Sequence, residues 1–176
     1  MQRTKLAFLL AAGAALAGAA ALAPVAQAGR LKAQVYLVQA TIPNKLTEKG
    51  LIGFARAHAN KILRETKDAD LKKRKWKADM VVAFNAPVGD MEFQILFYDI
   101  HDGPRRFVED MSTMVNDRKQ RTFVQKIALP RSSFKPNRNM ELVVTVKRAE
   151  VGRLKFGVVG EEARRSGEVS FSDSER

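Results

Sequence analysis

The chain has 176 residues, no cysteine, and 31 Lys+Arg against 19 Asp+Glu, a formal net charge of +12. Without cysteine there is no disulfide, no thiolate nucleophile and no thiolate metal ligand. The positive balance favours contact with anionic surfaces.

Arg3 and Lys5 precede an apolar run from Leu6 to Ala23, Pro24 breaks it, and Ala26-Gln27-Ala28 puts small residues where a signal peptidase reads. This pattern predicts a bacterial secretory signal peptide over residues 1–28, cleaved after Ala28, and so a periplasmic or secreted protein. The run is Ala-rich and holds Gly13 and Gly18, which makes it weakly hydrophobic for a spanning anchor. Cleavage removes the two cations Arg3 and Lys5 and no acidic residue, leaving 148 residues at +10. That length suits a single domain over residues 29–160 with a self-sufficient core.

Residues 31–41 alternate, with Leu31, Ala33, Val35 and Leu37 on one side, and predict a half-buried strand that Pro43 stops. The period then changes. Leu51, Ala55, Ala59 and Ile62, widened by Ile52 and Leu63, predict one amphipathic helix over about 47–65, with Thr47 as N-cap. A charged stretch ends in Lys72-Lys73-Arg74-Lys75-Trp76-Lys77. Consecutive strands follow, marked by Met80, Val82 and Phe84, by Phe93, Ile95 and Phe97, and by residues 107–115. Phe123, Ile127 and Leu129 mark the next, then Met140, Leu142, Val144 and Val146, and then Leu154, Phe156 and Val158. Turns are expected at Pro87–Asp90, Asp102-Gly103-Pro104, 116–120, 131–139 and Val151-Gly152. Residues 161–176 form a polar tail in which Val169 and Phe171 offer a last edge strand.

The expected fold is mainly β: an antiparallel β-sandwich of seven to eight strands with the helix between the first two. The alternating strands and the hairpin over 140–159 resemble the broad immunoglobulin-like or C2-like group across residues 77–160. The resemblance is generic, since the inter-sheet cysteines of immunoglobulin domains are absent. Such a fold alone gives no function.

Catalytic patterns are scarce. His58 and His101 are the only histidines, and no serine elbow, phosphate-cradling Gly-rich loop or zinc helix motif occurs. No cofactor is expected and the chain reads as a non-enzyme. Asp99, His101 and Asp102 gather two carboxylates and an imidazole at a strand end, and define the alternative of a calcium-dependent binder or hydrolase. Asp90 and Asp117 can complete such a site only from the same end. The sharper signal is cationic. Lys72, Lys73, Arg74, Lys75 and Lys77 flank Trp76, the single tryptophan, with Arg105 and Arg106 as support and Arg118-Lys119-Arg121 and Arg131-Lys135-Arg138 as extensions. Cations meet phosphate or sulfate while an exposed indole stacks on a sugar or base. The expectation is an envelope binding or assembly module. Its partner would be lipopolysaccharide, another acidic polysaccharide or an acidic protein, with intracellular nucleic acid disfavoured by export. A purely structural envelope subunit is the third reading.

Overall fold

Among the described residues, eight strands, one α-helix and a single 3₁₀ turn follow one another as β1 (Ala33–Val38), α1 (Glu48–Ala57), β2 (Ile62–Arg64), the 3₁₀ turn (Leu71–Lys73), β3 (Lys75–Phe84), β4 (Glu92–Asp99), β5 (Arg106–Met114), β6 (Thr122–Pro130), β7 (Arg138–Val146) and β8 (Ala149–Val159). These come from a computed structural model that describes residues 30–117 and 119–162. The leader (1–28) and the strand expected at Val169–Phe171 lie outside the described residues. Among the described residues no helix is long and apolar enough to cross a membrane.

The strands form a three-stranded sheet, β1-β3-β6, and a five-stranded sheet, β2-β8-β7-β4-β5. Period-2 alternation dictates which residues meet between them. Trp76, Ala78, Met80, Val82 and Phe84 of β3 join Phe93, Ile95 and Phe97 of β4, Met140, Leu142 and Val144 of β7, and Phe156 and Val158 of β8 in one buried cluster. Phe84, Phe93 and Phe123 meet edge to face with centroids 5.0–5.8 Å apart, the arrangement that aromatic quadrupoles favour. Phe134, in the expected loop 131–139, is also buried there and packs edge-on against Phe97 at 5.7 Å. The second face of β3 is apolar for a different reason: Val81 and Val38 of β1 lie beneath Ala55 of α1, with Leu51, Phe54 and Tyr36 around them.

The helix is shorter than the sequence predicts. Thr47 caps it as expected, its Oγ1 accepting from the Gly50 N–H at 3.2 Å, and the Glu48 carboxylate accepts from the Thr122 hydroxyl at 2.8 Å. It stops at Ala57, with His58 as C-cap. The Asn60 N–H then donates to the Leu37 carbonyl (2.7 Å), and its side-chain oxygen accepts from the Gln39 N–H (2.8 Å). These two bonds tie the chain to the end of β1 before another turn can form. Leu63, read as part of the helical stripe, instead enters the main core from β2. The pairing β2–β8 is parallel, so the set of strands is not wholly antiparallel.

The last hairpin also differs. It turns at Lys147-Arg148, both at positive φ (50° and 64°), and Val146 pairs with Ala149. Gly152, expected in that turn, sits inside β8. A Cβ there would lie 2.5 Å from the Ala33 carbonyl oxygen, so the close approach of β1 to β8 requires glycine.

Candidate anion-binding surface

Alternation along β3 separates Trp76 from the cations beside it. Its indole is 0% exposed and its Nε1–H donates to the Val159 carbonyl at 2.9 Å. The expectation that Trp76 stacks on a ligand is therefore corrected. The ring shares a side with Ala78, Met80 and Val82 and belongs to the core.

Lys75 and Lys77 fall on the opposite, outward side. In register, Lys75 faces Pro130, Lys77 faces Ala128 and Asp79 faces Lys126 of β6. On the other flank Glu65 bridges to Trp76 in antiparallel fashion, which places Arg64 beside Lys77. The Gln39 side-chain nitrogen fixes that juxtaposition by donating to the carbonyls of both Arg64 (2.9 Å) and Lys77 (3.0 Å). Arg64, Lys75, Lys77 and Lys126 thus form a cationic row across β2, β3 and β6, interrupted only by Asp79. Lys72 and Lys73 are exposed on the 3₁₀ turn that leads into it, a turn capped by Asp70. Among the described residues, none of these six cations is held in an ion pair. Arg64 and Lys126 were not singled out from sequence. Their membership depends on register across strands far apart in the chain.

Arg74 has another task. Its guanidinium lies 2.8 Å from the Glu161 carboxylate and 3.9 Å from that of Glu65, and its Nε donates to the Asp68 carbonyl. Glu65, with 6% side-chain exposure, receives both prongs of Arg131, which also donates to the Glu161 carbonyl. The Arg131 hydrogen bond is the main cause holding the Glu65 carboxyl below its ordinary value of 4.5, against the opposing effect of burial. Gly160 permits the contact, since a Cβ there would sit 2.6 Å from Glu65 Oε2 and 3.2 Å from the Trp76 ring. Arg74, Arg131 and Glu65 therefore clasp the end of β8 over Trp76, and Arg74 is removed from the free cations.

Arg105 and Arg106 do not join the lysines. Arg105 reaches Glu141 at 2.5 Å, a carboxylate only 2% exposed, and Glu150 at 3.6 Å, and lies 5.7 Å above the Tyr98 ring. Tyr98 and Glu141 are register partners in the five-stranded sheet, on the face turned away from its core row. The lysines occupy the outward face of the other sheet. The expected single patch is therefore split between opposite sides of the molecule. Arg106 pairs with Asp102 at 3.3 Å.

The Asp99-His101-Asp102 turn is organised by its own hydrogen bonds. Asp99 Oδ1 accepts from the His101 N–H at 2.8 Å, and the Asp102 carboxylate lies between Arg138 (2.5 Å) and Arg106 (3.3 Å). The Arg138 hydrogen bond is the chief cause holding the Asp102 carboxyl below its ordinary value. Asp90 and Asp117 lie at the other end of the β4–β5 hairpin, about 26 Å away along the strands. Among the described residues no three His, Cys, Asp or Glu side chains are grouped to hold a metal. The His58 side chain packs on Phe54, with centroids 4.3 Å apart.

A groove of about 590 Å³ opens on the outer side of β2, β8 and the start of β7, lined by Lys61, Ile62, Arg138, Lys155, Gly157 and Val159 among others. No protein-family model matches the sequence, and no curated protein matches it either.

Proposed function

We propose that the chain is a non-catalytic exported binding or assembly module of the cell envelope, periplasmic or secreted after loss of its leader. In this reading the two sheets are the layers of an immunoglobulin-like or C2-like sandwich, a rigid frame for a surface that holds an anionic polymer. The supporting observation is the row of unpaired cations Arg64, Lys75, Lys77 and Lys126, extended by Lys72 and Lys73. Elsewhere Arg74, Arg105, Arg131 and Arg138 are occupied by carboxylates. Lysines standing free side by side on a strand face repel one another, and an anionic partner relieves that repulsion. The metal-dependent alternative finds less support, because Asp102 already faces two guanidinium groups.

Heparin and purified lipopolysaccharide serve as probes. Affinity should fall steeply between about 50 and 200 mM salt, because the attraction is screened and counterions are released. The double variant Lys77→Gln/Lys126→Gln should bind at least about tenfold more weakly with an unchanged melt, and a Lys147→Gln/Arg148→Gln variant, equal in charge change and placed at the exposed β7–β8 turn, should keep its polyanion affinity. Salt-independent binding, or full affinity in the Lys77→Gln/Lys126→Gln variant, would refute the reading. Indifference to both probes together with a co-purifying protein would favour a purely structural subunit.

A further inference from the structure

The groove on the five-stranded sheet has a specific origin in the sequence. Gly157 lies opposite Ile62 in the parallel β2–β8 register. A Cβ added at Gly157 would come 3.7 Å from Ile62 Cγ1, at ordinary contact distance and without clash. The missing side chain therefore leaves a dent, flanked by Ile62, 56% exposed, and Val159, 47% exposed. Isolated exposed aliphatics need no explanation. Here two of them border bare backbone in an open apolar trough of a size suited to small molecules.

The rim of this trough is cationic. Arg138 is held by Asp102, and the Asn137 side-chain nitrogen donates to Glu162. Lys61 and Lys155 line the same groove and have no ion-pair partner among the described residues. Lys155 faces Glu141 in register, but that carboxylate is taken by Arg105. An apolar trough whose lining includes two lysines without ion-pair partners complements a hydrocarbon chain that ends in an anionic head.

We propose that this groove seats one hydrocarbon chain of a phosphate-headed lipid, with Lys61 and Lys155 holding the head group. The groove and the lysine row use different residues, so either can fail without the other.

Dodecyl phosphate below its micelle concentration is the probe, with the leader-free full chain titrated by calorimetry and by methyl NMR. Dodecyl maltoside tests the neutral head and inorganic phosphate tests the head alone. Saturable one-to-one binding is expected, with shifts centred on Ile62 and Val159 and at least about tenfold preference over dodecyl maltoside. Gly157→Val fills the dent and should weaken both amphiphiles by about tenfold or more. Lys61→Gln/Lys155→Gln, at two exposed positions, should erase the preference for the charged head while leaving the melt intact, because it sets no second carboxylate opposite Glu141, and it carries the test if Gly157→Val does not fold. Equal affinity for dodecyl maltoside, equal affinity for inorganic phosphate, shifts remote from the groove, or no saturation would each overturn the proposal.

Discussion

Four arginines and the lysines of the cationic row meet different fates, although Arg64 stands free with the lysines. Arg74, Arg105, Arg131 and Arg138 each engage a carboxylate, as expected of a planar fork that matches two oxygens. Lys75, Lys77 and Lys126 stand free. Glu65 is the sharpest test of the first group, because its carboxylate is nearly buried and Arg131 holds it ionised below the ordinary 4.5. Glu65→Gln should cost about 3 kcal/mol near neutral pH, since it leaves Arg131 poorly compensated. The sign of the pH effect follows from the lowered carboxyl. Stabilisation from Glu65 is complete above the unfolded-state carboxyl range and is lost as pH falls through the folded-state value. Wild type should therefore lose melting temperature faster than Glu65→Gln below about pH 4.5. Parallel melts from pH 3 to 7 check this, and superimposable acid limbs would show that the clasp is not coupled to folding. The role of Trp76 was legible in principle. It is two residues from Ala78 and four from Met80, on the inward side of an alternating strand. The flanking lysines drew attention from that period. The Glu65–Arg131 pair had no such signal, because the two lie 66 residues apart.

At the scale of elements, strands with strong alternation were readable. The rows of β4, β7 and β8 appear where Phe93–Phe97, Met140–Val146 and Leu154–Val158 place them. What escaped was decided by distant contacts or by unusual turn chemistry. β2 has three residues, too few for a period, and its pairing with β8, together with the Asn60 bonds to β1, distinguishes it from a fourth helical turn. The β7–β8 turn escaped because a two-residue hairpin loop with both residues at positive φ normally announces itself as Asn-Gly or Asp-Gly. Here Lys147 and Arg148 occupy those conformations, which L side chains with a Cβ adopt at a cost. Lys147→Asn/Arg148→Gly should therefore stabilise the fold by about 1 kcal/mol, read as a higher urea midpoint with an unchanged slope. A lower midpoint would mean that the two side chains contribute more than their strained backbone costs.

Placement of charges over the whole molecule depends on which strand joins which sheet, and local pattern is silent on that. Arg105 and Lys77 read as one patch in sequence, yet sheet assignment puts them on opposite outer faces. β8 shows how far this global order reaches. It pairs with β2 in the five-stranded sheet, it supplies Phe156 and Val158 to the core, and its Val159 carbonyl accepts from the buried Trp76 indole. A chain that stops after Val146 loses all three at once. Removing two large buried side chains forfeits about 3–6 kcal/mol of apolar burial, and the indole N–H left without an acceptor costs about 1–3 kcal/mol more. Together these approach the whole stability of an ordinary domain, about 5–15 kcal/mol. The truncated chain should therefore show no cooperative melt and no near-ultraviolet signal from Trp76. It should also self-associate through the newly bared edge of β7. Phe156→Ala in the full chain isolates the packing part. It should cost about 3–5 kcal/mol yet retain a single sharp transition, because the β2 pairing and the Val159 acceptor remain. A truncated chain that still melts cooperatively near the full-length temperature would show that the two sheets hold together without β8.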